Sequence, residues 1–291
     1  MTSPDDPSRR RRKFQRAIDG ILDAPAAEFA APIVAEFAAR DAMNHHGQRA
    51  ALGDSLRIAL TGRYMVEREL GHGGMATVFL ARDPRYDRAV AVKVLERDVV
   101  ARGGVERFLH EIRIAARLTH PHVLAVHDSG EVNGLLYYVM PYVDGETLRA
   151  RLTRDRPLPL VDAVRLLREL ADALAYAHAH GVVHRDLKPE NVLLSGGHAI
   201  VADFGIAKAL HVATQGDSQA PALTSTGIAL GTPAYMAPEQ AVGDSATDYR
   251  ADLYALGVVG YELLAGEHPF GARGPQALVT AHLTETPAPL R

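Results

Sequence analysis

Six polar side chains stand in apolar or loop settings where an unpaired charge costs free energy, and their types suit phosphate and metal chemistry. Lys93 interrupts the aliphatic run AVAVKVL at 89–95, on the strand face that also carries Ala91 and Leu95. A lysine among aliphatics needs an anionic partner or ligand. Glu111, at the border of the apolar face of the next helix, is the expected one. Further on, HRDLKPEN at 184–191 and ADFG at 202–205 place Asp186, Lys188, Asn191 and Asp203 in two loops flanking the apolar segment VLL. Two acids and an amide converging there make a hard, oxygen-rich site suited to Mg²⁺ and phosphate. Upstream, GHGGMATVFLARD at 71–83 contains Gly71, Gly73 and Gly74. By itself this stretch reads as a hairpin turn as readily as a phosphate-cradling loop.

These residues need a frame. From Tyr64 the pattern is that of strands: YMVEREL, ATVFLAR after the glycines, and AVAVKVL, with DPRYD as the turn between the last two. A helix follows with Val105, Phe108, Leu109, Ile112 and Ala116 on one face, and HPHVLAVHDSG and LLYYVMPYV predict two further strands. The expected fold is α+β, with an antiparallel sheet of five strands and one helix in its N-terminal lobe, about 64–143. After Gly145 the period turns helical, and VDAVRLLRELADALAYAHAHG at 161–181 ends in a glycine that suits a helix C-terminus. The second lobe, about 144–291, is therefore expected to be mainly α. Residues 1–60 read as a basic tail, RRRRK at 9–13, followed by short helices with Phe29, Ile33, Val34 and Phe37 at helical spacing.

Composition bounds the function. The chain has 291 residues, 47% hydrophobic and 23% charged, enough for a sizeable core. Its 32 Lys and Arg against 35 Asp and Glu leave a net charge of -3, which gives no global reason to expect nucleic acid as a partner. Cysteine is absent, so disulfides and thiolate chemistry are excluded and a reducing cytosol is suited. No apolar run reaches the roughly 18–20 residues of a spanning helix. His72, His178, His180 and His198 read as surface or packing histidines, since their spacing assembles no metal site.

Taken in order, GHGGMATV, AVAVK, Glu111, HRDLKPEN, DFG and APE at 237–239 resemble the eukaryotic-like Ser/Thr protein kinases, most closely the bacterial type, over about 64–290. The resemblance implies a two-lobed kinase domain over 61–291 that uses ATP and Mg²⁺ to phosphorylate Ser or Thr of protein substrates. It answers the glycine question in favour of phosphate. It implies that Leu70, Gly71, Gly73, Gly74, Val78, Ala91, Met140, Val143 and Leu193 surround the nucleotide, and that Lys93, held by Glu111, binds its phosphates. Asn191 and Asp203 would hold the metal, Asp186 would accept the substrate proton, and Lys188 would stabilise the transferring group.

The same resemblance implies Ser/Thr specificity from KPEN, a substrate-loop role for Thr232, and a bracing role for Asp252 behind the HRD loop. Arg185 awaits an anion that activation-loop phosphate can supply, with Thr224 and Thr226 the matching autophosphorylation positions among Thr214, Ser218, Thr224, Ser225 and Thr226. Self-association would serve that reaction. Ala76 stands at the third glycine position and Pro141 where kinases often carry Glu. Relatives continue beyond the equivalent of Arg291 with helices that complete the lower lobe and supply an arginine to pair with Glu239. The lower lobe is thus expected to stop short, with a cytoplasmic domain and a downstream anchor allowed for. A nucleotide-binding scaffold that transfers little phosphate is the alternative to an active kinase.

Overall fold

A computed structural model of the chain describes residues 52–73, 76–95, 104–204, 233–242 and 247–290. The basic tail expected at the N-terminus lies outside the described residues, although 52–59 are helical.

The upper sheet has the strand order β1-β2-β3-β5-β4, antiparallel throughout. Its strands are β1 (Met65–His72), β2 (Ala76–Asp83), β3 (Arg88–Leu95), β4 (Asp128–Val132) and β5 (Leu135–Pro141). Strand β5 lies between β3 and β4, and its run from Leu135 to Met140 is buried throughout, as an unbroken apolar segment requires. Its alternate residues Leu136, Tyr138 and Met140 share a core with Phe108 and Ile112 of helix α1 (Gly104–Ala115) and with Ala91 and Leu95 of β3.

The strand expected from HPHVLAVHDSG begins only at Asp128. Residues 122–124 stand outside the upper sheet and pair with the last strand of the lower lobe instead. Val123 bridges Val201 in parallel, the Leu124 N–H donates to the Val201 carbonyl at 2.8 Å, and the Val201 N–H donates to the His122 carbonyl at 2.9 Å. The apolar residues that looked like strand are split between two cores, Val123 packing into the lower one and Leu124 and Val126 into the upper one.

That core is centred on α3 (Leu160–Ala179), which buries Ala163, Leu166, Leu170, Ala173, Leu174 and Ala177 along one stripe. Truncating any of these leucines to Ala should cost about 2–5 kcal/mol. The helix gives way to Gly181 at φ 73°, a left-handed position that favours glycine. A small second sheet, β6 (Glu146–Thr147), β7 (Val192–Ser195) and β8 (His198–Val201), was not anticipated. Helix α2 (Leu148–Arg154) follows β6 directly, capped by the Thr147 hydroxyl accepting from the Ala150 N–H at 3.1 Å. Helices α4 (Pro238–Ala241), α5 (Arg250–Ala265) and α6 (Pro275–Thr284) complete the described lobe. Glu239 is half-buried. Among the described residues no helix is long and apolar enough to cross a membrane.

Candidate active site

The loop after α3 is built on a buried carboxylate. Asp252 on α5, 1% exposed, accepts the His184 N–H at 2.8 Å, the Arg185 N–H at 2.7 Å and His178 Nε2 at 2.8 Å. These bonds hold Arg185 at φ 68°, a left-handed conformation that a side-chain-bearing residue adopts only when its surroundings impose it. His184 is fully buried; its Nδ1 accepts the Asp186 N–H at 3.2 Å, so its proton sits on Nε2, which donates to the Ala202 carbonyl at 2.9 Å. One histidine thereby ties the backbones before Asp186 and Asp203 together. His178, read as a packing residue, is one of the supports, and only its contact with Asp252 reveals it.

Within the loop, the Lys188 ammonium donates to Asp186 Oδ2 at 2.7 Å. Asn191 Nδ2 donates to the same oxygen at 3.1 Å and to the Asp186 carbonyl at 2.8 Å. Both side-chain donors thus fall on Oδ2, and the orientation of the Asn191 amide leaves its Oδ1 as an acceptor facing away. Short strands β7 and β8 then carry the chain to Asp203.

Asp203 sits at φ 66° with its side chain 13% exposed. Lys93 Nζ donates to its Oδ2 at 2.6 Å, and the Tyr138 hydroxyl donates to its Oδ1 at 2.6 Å. Burial alone would push the carboxyl up, but the Lys93 charge and the two hydrogen bonds outweigh it and hold the group below the usual carboxylate range. Glu111 is half-buried on α1, and the carboxylate on Lys93 here is that of Asp203.

The described apolar residues expected around a nucleotide fall in one cluster. Ala91 and Met140 belong to the upper core, and Leu70, Val78, Val143 and Leu193 pack against it. The ladder pairs Gly71 with Val78, Val78 with Lys93 and Ala91 with Met140, so floor and lysine come from neighbouring strands. At Gly71 and Gly73 an added Cβ would meet nothing within 4 Å, so internal packing does not require glycine there, whereas close approach of a ligand does. Gly74, Thr232, Thr224, Thr226, Thr214, Ser218 and Ser225 lie outside the described residues.

Among the described residues no group of three or more His, Cys, Asp or Glu could hold a metal ion. Asn191 and Asp203 instead offer two hard oxygen donors, and a site with few protein ligands that leaves the rest to phosphate and water suits Mg²⁺ rather than zinc or a caged calcium.

A second network was invisible to motif reading. Arg149 on α2 donates from Nε to Glu190 at 2.7 Å and from Nη1 to Glu262 on α5 at 2.6 Å, and its guanidinium also meets the Tyr235 hydroxyl. Tyr235 donates in turn to Glu262. The segment PAYMAPE at 233–239 is thereby fastened to α2, α5 and the loop that carries Glu190 at once. Arg185, by contrast, keeps a buried Nε without a hydrogen-bond partner among the described residues.

Residues 64–289 match the protein kinase domain family, and the chain belongs to that family. It is 43% identical over 232 residues to the probable serine/threonine-protein kinase PknA2 of Bifidobacterium longum, covering 78% of this chain and 29% of the relative. It is 44% identical over 236 residues to the serine/threonine-protein kinase PknB of Mycolicibacterium smegmatis, covering 79% and 37%. The chain thus spans about a third of the length of the curated relatives it matches. Among solved structures, a mutant PknI kinase domain from Mycobacterium tuberculosis superposes with a TM-score of 0.58 at 36% identity, covering 72% of this chain and 76% of that one.

Proposed function

We propose that this chain transfers the γ-phosphoryl group of ATP to Ser or Thr hydroxyls of proteins, with residues 61–291 as its catalytic domain working in the cytoplasm. The observation that supports the reading is a pair of hydrogen-bonded clusters, Lys93 with Asp203 and Lys188 and Asn191 with Asp186, joined through Ala202, whose N–H donates to the Asn191 carbonyl at 2.8 Å. The adenine lies in the slot of Leu70, Val78, Ala91, Met140, Val143 and Leu193, and the phosphates lie under Gly71, Gly73 and Gly74. Lys93 leaves Asp203 for the phosphates and is then steadied by Glu111. Asn191 and Asp203 would hold Mg²⁺, whose charge would offset that of the phosphates. Asp186 accepts the hydroxyl proton as the new oxygen–phosphorus bond forms and the bond to ADP breaks, and Lys188 faces the transferred group. Thr232 steadies the protein substrate.

Activity is raised by autophosphorylation between copies at Thr224 and Thr226, the phosphates pairing with the Arg185 guanidinium, whose Nε has no hydrogen-bond partner among the described residues. The test is labelled ATP and Mg²⁺ with the purified chain and Asp186→Asn beside it. Label on protein that the substitution abolishes supports the reading. Binding of Mg-ATP with no label in either protein sinks it in favour of a nucleotide-binding scaffold.

A further inference from the structure

Lys93 and Tyr138 stand directly opposite each other in the β3–β5 ladder and both end on Asp203, one on each carboxylate oxygen. The Lys93 ammonium also lies 5.9 Å from the centre of the Tyr138 ring. Tyr138 is 1% exposed, on the face of β5 that otherwise presents Leu136 and Met140 to the apolar core. A buried phenol needs an acceptor, and here the acceptor is the acid assigned to the metal.

The two donors differ in kind. Lys93 is a charge on a flexible stem, and on the kinase reading the nucleotide phosphates draw it away from Oδ2. Tyr138 is a neutral donor on a short, packed side chain in the middle of the sheet, and nothing in the reaction calls it elsewhere. A second cation on Asp203 would cancel the charge that attracts a divalent ion. A phenol orients the carboxylate and leaves that charge in place. The need for such a tether is local, because Asp203 occupies a left-handed backbone conformation at φ 66° that its side-chain contacts must help sustain.

We propose that Tyr138 is a positioning residue for Asp203: its hydroxyl holds Oδ1 to the upper sheet, so that Oδ2 is presented to Mg²⁺ once Lys93 has moved to the phosphates. The inference rests on the kinase reading. It ties an upper-lobe strand to the acid that follows β8 of the lower lobe through a bond that forms only if the two lobes are correctly set.

The experiment is binding of a fluorescent ATP analogue to the full 291-residue chain, titrated with Mg²⁺ and compared with binding in chelator, for the parent protein, Tyr138→Phe and Tyr137→Phe. Tyr137 is the control, since its hydroxyl accepts from Arg63 at 2.8 Å, remote from Asp203. Expected is about a 10-fold rise in the Mg²⁺ needed for half-maximal binding by Tyr138→Phe, the scale of a hydrogen bond to a charged group. Metal-free binding should stay unchanged, and Tyr137→Phe should match the parent in its Mg²⁺ requirement. Should the Phe variant fail to fold, Tyr138→Met, a flexible apolar side chain without a donor, must give the same rise. An unchanged Mg²⁺ requirement, or equal weakening with and without metal, overturns the inference alone. A parent protein that binds no Mg-nucleotide overturns the kinase reading and this inference with it.

Discussion

Asp252 accepts the backbone N–H of Arg185 at 2.7 Å from the first turn of α5, so the residue before Asp186 is positioned by a helix distant in sequence. The same carboxylate takes His184 and His178. Asp252→Ala strands three donors around a buried hole and should lower stability by about 3–5 kcal/mol, read as a denaturant midpoint. Asp252→Asn keeps the volume and an acceptor, and should cost less stability while still lowering the turnover number. Equal turnover in Asn and parent proteins would show that the loop holds its shape without the charge.

Arg149 should behave as a keystone for the segment around Tyr235. Arg149→Met leaves the Glu262 carboxylate, 7% exposed, without its cation, at a cost of about 3 kcal/mol or more. Adding Glu262→Gln should recover part of that loss, because the uncompensated charge is then gone. Steady-state kinetics should show the protein-substrate KM rising while the ATP KM holds.

The orphaned Nε of Arg185 gives a test of the regulatory reading. Autophosphorylated protein should melt roughly 3 °C or more above its phosphatase-treated form, since each kcal/mol is worth about 2–4 °C at this size. In Arg185→Gln the two forms should melt together. A phosphorylation increment that survives the substitution assigns the phosphate another partner.

Glu169 supplies a pH prediction away from the reaction. Its oxygens accept His198 Nδ1 and the Ala199 N–H, both at 2.7 Å. Burial pushes this carboxyl up, but those bonds and the His122 and His198 rings outweigh it, so it titrates below its ordinary value. A depressed carboxyl contributes stability that is present above the unfolded pKa and lost as pH falls through the folded one. The stability gap between parent and Glu169→Gln should therefore be full near neutrality and close progressively below about pH 4. A gap independent of pH would mean that the contact acts by shape alone.

Elements with long, regular periodicity were legible in the sequence, as were functional strings that stay local. The stripe of α3, the aliphatic run around Lys93 and the order from HRDLKPEN to DFG all declare themselves within short windows. What escaped was spread across the chain or hidden by context. Tyr138 in LLYYVMP reads as one more core aromatic, and only the fold reveals the acid beneath its hydroxyl. Arg149 and Glu262 are ordinary helix residues until α2 and α5 bring them together around Tyr235. Strands β6, β7 and β8 are too short for alternation to register. HPHVLAV alternates like a strand, yet divides its apolar residues between the two lobes, Val123 going to the lower core and Leu124 and Val126 to the upper one.

The stitching of 122–124 to Val201 fastens the chain that follows α1 to the strand that leads to Asp203. Leu124 and Val126 then reach back to the core in which Phe108 and Ile112 of α1 are buried. One short segment thus belongs to both cores at once, a seam between the helix that carries Glu111 and the strand that delivers Asp203.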